Sequence, residues 1–327
     1  MIEKNVELQL AYELENLHHV VVQAADVGAK YVYALQLLHG QTDIIVYRTE
    51  PDGKHVIYNE DAPILYLTGK AGGHTQTWKY SGESGCWLVG TKPKPHGSIA
   101  WTSQIARVRL DGSGQQYTSN TQLPRLSYLN RAGSGFGDNS TVYPGAELER
   151  VEAAVSPDYS KLLIASIDVH HTGYFALYNM NEVNQALDEA EQTSSDVNIQ
   201  NFNCLGAFKI PNFNSEYIPS IQGYDLDEND NIYISCQPGP TKSFLGFAKQ
   251  GKPREIVKIP WGETDPNNWE VANLDHNLTV DALGYCTEFE SIHVHDSQNI
   301  FLTVAYHERD GLTTLMNRIY KVTGFSN

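Results

Sequence analysis

Basic residues are scarce in this chain of 327 residues, which has 23 lysines and arginines against 39 aspartates and glutamates, a formal net charge of −16. Binding nucleic acid through its phosphates requires a basic face, so the composition argues against a nucleic-acid partner. It argues equally against electrostatic docking on anionic lipid. A net charge of this size favours solubility, and it still leaves room for a local basic patch.

Cysteines and long apolar segments are scarce as well. The four cysteines are far apart and form no CxxC pair, so we expect reduced thiols and neither a disulfide framework nor a zinc site. No apolar run approaches the roughly 18 residues of a membrane helix, so we expect no stable membrane insertion. The first residues, Met1–Glu7, lack the basic and apolar segments of a signal peptide.

An internal repeat is the most informative feature that the sequence does have. In four segments a Gln or Glu stands ten residues before a strongly apolar strand pattern. These residues are Gln76, Glu152, Gln222 and Glu290, and the strands begin near Cys86, Leu162, Ile232 and Ile300. A looser fifth copy starts at His19 and continues to the strand Tyr31–Ala34. Polar turn residues follow the first strand of a repeat, so each repeat begins with an antiparallel hairpin.

Further strand patterns complete the repeats. The segments Gln104–Val108, Glu255–Ile259 and Arg318–Val322 alternate apolar with polar residues, as a half-buried third strand does. Two repeats also show a fourth strand, at Leu65–Gly72 and Ser127–Gly133. Each complete repeat is therefore expected to contain four antiparallel strands.

Five such units predict an all-β fold, a five-bladed β-propeller with four-stranded antiparallel blades, formed by residues 1–327 as a single domain. The expected blades cover 17–68, 74–130, 150–210, 220–275, and 288–325 together with 5–13. The segment Val6–Tyr12 alternates but has no repeat of its own. We expect this N-terminal strand to lie beside Ile319–Val322 and close the last blade, which would protect the sheet edges. Apolar residues at helical spacing predict a helix over Met180–Gln192, inserted in the third blade.

The inner strand of each blade lines the central channel of a propeller, so the repeated Gln and Glu positions are candidates for a ligand site. We expect five side chains to converge at one mouth of the channel, those of His19, Gln76, Glu152, Gln222 and Glu290. The candidate ligand-binding set also includes Trp78, Tyr224 and, in a glycine-rich loop, Arg131. The alternative is structural, with these side chains satisfying the inner-strand backbone and one another.

Catalytic and metal chemistry has less support in the sequence. Glu152 and Glu290 raise the alternative of a glycoside hydrolase, which requires two carboxyl groups about 5–5.5 Å or about 6.5–9.5 Å apart. The acidic turn Asp225–Asn229 lacks the glycine and the final glutamate of a calcium-binding loop. No Ser-His-Asp or Cys-His arrangement stands out. We therefore assign no catalytic residue, no cofactor and no metal, and favour a binding protein over an enzyme.

Several segments resemble a known family. They are Gly72–Trp78, Pro124–Ser134, Ala153–Tyr159, Ser220–Asp227 and Leu302–His307, and they occur in the family's order at similar spacing. These segments are similar to the helveticin J family of class III bacteriocins, over most of the chain. One departure is His19, where the family segment has Gln.

The resemblance implies an antibacterial protein that acts on related bacteria outside the producing cell, although no signal peptide is visible. Its partner would be a component of the target-cell surface, a cell-wall glycan or a surface protein. The family supplies no catalytic residues that can be transferred. Two alternatives stay open, a glycan-processing propeller enzyme and a lectin or adhesin that does not kill. The sequence carries no signal for an oligomeric state.

Overall fold

The fold is built from short β-strands that follow one another along the chain. A computed structural model describes residues 1–97, 99–112, 114–137, 141–193, 195–243, 248–309 and 312–325. Five sheets of these strands are the blades of a five-bladed β-propeller, which confirms the fold class predicted from the repeats.

The strands are numbered in chain order. The N-terminal segment and the first two repeats contain β1 (Ile2–Glu3), β2 (Glu7–Glu15), β3 (Val22–Val27), β4 (Val32–Leu38), β5 (Asp43–Thr49), β6 (His55–Ile57), β7 (Leu65–Leu67), β8 (Trp78–Tyr80), β9 (Cys86–His96), β10 (Ile99–Arg109), β11 (Gln115–Tyr117) and β12 (Arg125–Ser127). The third repeat contains β13 (Leu148–Val155), β14 (Lys161–Asp168), β15 (Gly173–Asn179), the helix α1 (Met180–Thr193), β16 (Asp196–Asn198) and β17 (Cys204–Ile210). The last two contain β18 (Ile221–Leu226), β19 (Ile232–Cys236), β20 (Thr241–Lys242), β21 (Ala248–Lys249), β22 (Glu255–Ile259), β23 (Glu270–Asn273), β24 (Tyr285–Asp296), β25 (Asn299–Glu308) and β26 (Thr314–Thr323).

Each blade uses four strands that are close in sequence, with one exception. The first four blades are β3-β4-β5-β7, β8-β9-β10-β12, β13-β14-β15-β17 and β18-β19-β22-β23. We call β3, β8, β13, β18 and β24 the inner strands. The fifth blade is β24-β25-β26-β2, so it takes its fourth strand from the N-terminus. Leu8 lies opposite Val322 and Tyr12 lies opposite Ile319 in antiparallel pairing, which confirms that the N-terminal strand closes the last blade.

Four of the five sheets also have a short fifth strand that the sequence did not indicate. The strands β1, β6, β11 and β16 pair in parallel with β23, β2, β7 and β12 respectively. Each covers the outer edge of a blade, where unpaired backbone groups would otherwise be exposed. These strands have only two or three residues, so they carry no periodic pattern.

The outer strands end earlier than their sequence patterns indicate. The predicted strand Leu65–Gly72 is extended only over Leu65–Leu67, and a 3₁₀ turn follows it at Gly69–Ala71. The predicted strand Ser127–Gly133 likewise ends at Ser127, before a 3₁₀ turn at Leu129–Arg131. The backbone is left-handed at Gly69, with φ of 58°, and at Tyr128, with φ of 56°, and this conformation stops an extended strand.

The chain divides into two compact units. Residues 1–37, 45–63 and 218–327 form one, the terminal unit, and residues 38–44 and 64–217 form the other, the middle unit. The core of the middle unit includes the predicted helix, whose Val183, Leu187 and Ala190 are buried. The core of the terminal unit is built largely from β24, β25 and β26. All four cysteines are free thiols.

Candidate functional site

The structure places three of the five predicted ring residues within inner strands and a fourth just before one. Glu152, Gln222 and Glu290 lie within β13, β18 and β24, and Gln76 lies shortly before β8. His19 differs from them, because it is exposed and lies in the loop before β3. The convergence of all five at one mouth stays a prediction.

The equivalent position in the first blade is occupied by Gln23. This residue lies at an irregularity in the pairing of β3 with β4, and Gln222 lies at the corresponding irregularity in the pairing of β18 with β19. Gln23 also stands ten residues before Tyr33 in β4. The repeat spacing therefore selects Gln23 and not His19, and Gln23 was missed because the apolar run after His19 hides the start of β3.

The Glu152 carboxylate joins the inner strands of the second and third blades. Its Oε2 accepts hydrogen bonds from the Thr75 hydroxyl at 3.2 Å, the Gln76 backbone N–H at 3.2 Å and the Thr77 hydroxyl at 2.5 Å. Its Oε1 accepts a hydrogen bond from Nε of Arg150 at 3.4 Å. Glu152 is 2% exposed. Both carboxylate oxygens are thus engaged within the protein, which favours the structural interpretation of this residue.

A layer of aromatic and polar groups lies beside this carboxylate. Arg150 donates a hydrogen bond to Oε1 of Gln76, and its guanidinium lies 4.1 Å from the centre of the Trp101 ring. His74 contacts the same ring edge-on, with 4.5 Å between the ring centres. Burial, and secondarily the charge of Arg150, lower the pKa of His74 to about 3. The His74 imidazole is therefore neutral in neutral and mildly acidic solution.

Gln222 and Glu290 in the terminal unit differ in accessibility. The half-buried Gln222 amide donates a hydrogen bond to the Gln237 carbonyl at 3.0 Å and lies 3.5 Å from Oε1 of Glu288. Glu290 is only 1% exposed, and its backbone carbonyl accepts a hydrogen bond from the Ser235 hydroxyl. Gln222 is therefore the one of the two that a ligand can reach without displacing the core.

A recurring hydrogen bond connects neighbouring inner strands. In the middle unit, Oγ1 of Thr77 accepts a hydrogen bond from the Ala153 backbone N–H at 2.9 Å. In the terminal unit, Oγ of Ser291 accepts one from the Ala25 backbone N–H, also at 2.9 Å. Thr77 and Ser291 each directly follow a repeated Gln or Glu. A hydroxyl at this position therefore satisfies a backbone donor of the neighbouring inner strand.

A second bond of the same kind occurs two residues further along the inner strand. Oδ2 of Asp225 accepts a hydrogen bond from the Val294 N–H at 2.8 Å, and Nδ1 of His293 accepts one from the Val27 N–H at 3.1 Å. Both acceptors stand three residues after the repeated Gln or Glu. The sequence motif thus marks the positions at which inner strands are joined.

The remaining sequence candidates differ in exposure. Trp78 is 1% exposed and stacks on Trp87, with 4.8 Å between the ring centres. Tyr224 is 5% exposed. Arg131 is exposed, and its guanidinium lies 5.1 Å from the centre of the Tyr143 ring. Of these three side chains, only that of Arg131 is presented at the surface.

The terminal unit contains a cavity of about 490 Å³ that His19 helps to line. Two of its other lining residues, Glu13 and Glu15, have ligand atoms within 4.8 Å of each other and of His55. Hydrogen bonding to Glu15 at 2.6 Å raises the pKa of His55. The His55 side chain is exposed and the two glutamates are partly so. Acidic groups of this kind are common at protein surfaces without an ion, so we assign no metal to them.

The middle unit contains two further cavities, of about 600 and 380 Å³. The larger is lined by side chains that include Tyr128 and Asn130, and the smaller by side chains that include Lys70 and Arg125. Asp196 lines both. None of the helices in the described residues is long and apolar enough to cross a membrane.

Comparison with known proteins gives a consistent result over the whole chain. Residues 3–326 match the family described as Bacteriocin helveticin-J. The chain belongs to this family. Bacteriocin helveticin-J of Lactobacillus helveticus is 39% identical over 341 residues, which cover 98% of this chain and 97% of that protein. The family resemblance seen in the sequence is thereby confirmed.

The helveticin-J family chain also shares its fold with a solved structure. The tail fiber of Staphylococcus aureus phage P68 matches with a TM-score of 0.55 and 12% sequence identity, over 98% of this chain and 53% of that chain. At this level of identity the likeness supports the fold alone.

Replacing Glu152 by glutamine should destabilise this helveticin-J family protein. The two carboxylate oxygens together accept four hydrogen bonds, and an amide nitrogen in place of either oxygen can accept none, so we expect the free energy of unfolding to fall by about 1–3 kcal/mol. Urea denaturation of Glu152→Gln measures the change. The exposed Glu147→Gln, in the same unit, is the matched control and should change little. Equal stability of the two variants would contradict the structural role of Glu152.

His74 should make the stability of the protein depend on pH. Its pKa is depressed in the fold, so the unfolded chain takes up a proton near pH 6.5 while the folded chain does not. The contribution of neutral His74 to the free energy of unfolding is therefore fully present above pH 6.5 and is lost as the pH falls toward 3. At pH 4.5 the loss due to His74 should be about 2–3 kcal/mol, and His74→Phe, which keeps a ring against Trp101, should remove it. An unchanged pH slope in His74→Phe, measured beside the exposed His170→Gln, would show that His74 is not the titrating group.

Proposed function

We propose that this protein is antibacterial, acts outside the cell that makes it, and binds a component of the target-cell surface, a cell-wall glycan or a surface protein. The observation that carries the proposal is the family match along nearly the whole chain. The net charge of −16 sets the protein apart from cationic peptides that attach to anionic membranes by charge. Recognition of a defined surface component agrees better with this composition.

The surroundings of Glu152 support binding over glycan hydrolysis. A glycosidase needs one carboxyl group that donates a proton and another that attacks the sugar or activates water, and both must reach the substrate. Glu152 is buried, and both of its oxygens accept hydrogen bonds from neighbouring protein groups. Using it as a catalytic acid would require breaking the junction between two inner strands.

Within the predicted ring, the accessible side chains are the candidates for contact with the ligand. His19 is exposed and Gln222 is half-buried, whereas Gln76, Glu152 and Glu290 are buried. We propose that the first two contact the ligand and that the buried three have a structural role in their own blades. The ligand-binding interpretation then applies to the accessible residues and the structural interpretation to the buried ones.

A combined binding, killing and hydrolysis assay tests the proposed function. Fluorescently labelled protein is incubated with bacteria related to the producer, and bound label, surviving cells and release of aryl glycoside chromophores are measured on one sample. The wild type should bind and kill without releasing chromophore. His19→Ala, Gln222→Ala and Arg131→Ala should weaken binding and killing together, by about tenfold for loss of one good contact. The exposed Gln116→Ala is the matched control and should behave as wild type.

Three outcomes would contradict the proposal. Chromophore release that Glu290→Gln abolishes would identify a glycan-processing enzyme. Cell binding without killing would identify a lectin or adhesin. Killing that all three ring and loop variants retain in full would move the binding surface elsewhere on the protein.

A further inference from the structure

Basic side chains are concentrated at one place in this acidic chain. Lys70, Lys92 and Arg125 line the cavity of about 380 Å³ in the middle unit, together with a single carboxylate, that of Asp196. The other lining side chains are hydroxyls and an amide. Three cations against one carboxylate leave this cavity positive, although the chain carries a net charge of −16. A concave site of this sign concentrates anions.

Arg125 is buried there without a direct ion pair, although the charge of Asp196 acts on it from a greater distance. Within the described part of the chain its guanidinium donates only long hydrogen bonds, to the Thr91 hydroxyl at 3.3 Å and to the Leu123 carbonyl at 3.4 Å. Among the residues that the structure describes, no carboxylate lies within 4.0 Å of it. The other buried arginines each contact a carboxylate, and they are Arg107, Arg150 and Arg254. Burying a cation without an ion-pair partner costs free energy, so an anionic ligand bound beside Arg125 would offset that cost.

The chemistry of the missing partner follows from the guanidinium. Its planar set of N–H donors matches two oxygens of a phosphate or carboxylate group. Lys92 is 37% exposed and lies 3.5 Å from Asp196, so its ammonium can turn toward an incoming anion. Lys70 is exposed at the same cavity. The cavity therefore fits a small oxyanion on a larger molecule.

The larger cavity of about 600 Å³ adjoins this one. Asp196 lines both, and it lies directly opposite Arg125 in the parallel pairing of β16 with β12. The side chains of Gln104, Asn130 and Asn198 also line it. Planar amides and a carboxylate are the groups that bind the hydroxyls of a sugar.

Tyr128 supplies an aromatic face to the larger cavity. Its side chain is 62% exposed, and its backbone is left-handed, with φ of 56°. Non-glycine residues are seldom found in this conformation, and strained positions concentrate at ligand sites. An exposed aromatic ring beside polar groups is a surface on which the apolar face of a sugar ring packs.

We infer that the two cavities form one groove that binds a glycan carrying an anionic group, a phosphate or a carboxylate. The anion lies against Arg125 and Lys92, and the adjoining sugar packs on Tyr128 with its hydroxyls bonded to Asp196 and Asn130. The inference rests on the proposed function, that the protein binds a surface component. It specifies that component as a charged glycan.

Calorimetric titration of the purified full chain with four probes tests the groove. The probes are N-acetylglucosamine, N-acetylglucosamine 1-phosphate, glucuronic acid and inorganic phosphate. At least one of the two anionic sugars should bind about tenfold or more tighter than the neutral sugar, and the tighter of the two identifies the anion. Its affinity should fall as salt is added.

Three variants separate the two halves of the groove. Lys92→Gln should weaken binding of the anionic sugar by about tenfold. Tyr128→Asn should weaken it similarly while leaving inorganic phosphate unaffected, and asparagine tolerates the left-handed backbone, so this variant should fold. Arg125→Gln should abolish binding at an unchanged melting temperature. The exposed Lys209→Gln removes the same charge elsewhere in the middle unit and should change nothing.

The inference is overturned if neither anionic sugar binds more tightly than roughly 10 mM, if the neutral sugar binds equally well, or if Lys92→Gln and Tyr128→Asn both bind as wild type. If labelled protein still binds and kills target cells, none of these results contradicts the proposed function. Conversely, tight probe binding by a protein that neither binds nor kills cells would contradict the proposed function and leave the groove in place.

Discussion

The backbone N–H groups on the free edges of the inner strands place the strongest constraint on this fold. A buried N–H without a partner costs about 1–3 kcal/mol, and a propeller built from similar blades meets this cost repeatedly. Here a side chain from the adjacent inner strand accepts the hydrogen bond, Thr77 from Ala153 and Ser291 from Ala25. The repeated motif therefore supplies a hydrogen-bond acceptor for a backbone N–H group at the position where one blade meets the next.

This constraint changes how the repeated Gln and Glu residues are interpreted. Glu152 accepts hydrogen bonds from both sides of its junction, from Gln76 and Thr77 and from Arg150, and is buried. A repeated polar residue in a propeller is therefore weak support for a ligand site until its exposure is known. Better candidates for ligand contact lie elsewhere, at the buried Arg125, whose hydrogen bonds within the described residues are long, and at the exposed ring of Tyr128.

Features with a period in the sequence were predictable. The ten-residue spacing located the hairpins, the alternation of Val6–Tyr12 identified the strand that closes the last blade, and helical spacing located α1 to within one residue of its end. The short parallel strands were not predictable, because two or three residues carry no period and their partners are distant in sequence. Gln23 was recoverable from the repeat spacing alone.

The candidate groove depends on properties that a sequence does not contain. Arg125 stands in the resembling segment Pro124–Ser134, but its lack of a direct ion pair is a matter of which carboxylates lie near it in space. Tyr128 is neither glycine nor asparagine, so nothing in its identity indicates a left-handed backbone. Asp196 reaches both cavities only because β16 pairs with β12.

Amide hydrogen exchange on Thr77→Val tests whether a side-chain hydroxyl holds neighbouring inner strands together. Valine keeps the size of threonine and removes the hydroxyl, which accepts the Ala153 N–H hydrogen bond and donates one to Glu152 within the same junction. The Ala153 amide should exchange at least about tenfold faster in the variant, whereas exchange of the Ala25 amide, bonded to Ser291 in the other unit, should be unchanged. Unchanged protection of Ala153 would mean that the hydroxyl does not hold the junction, and would contradict the account.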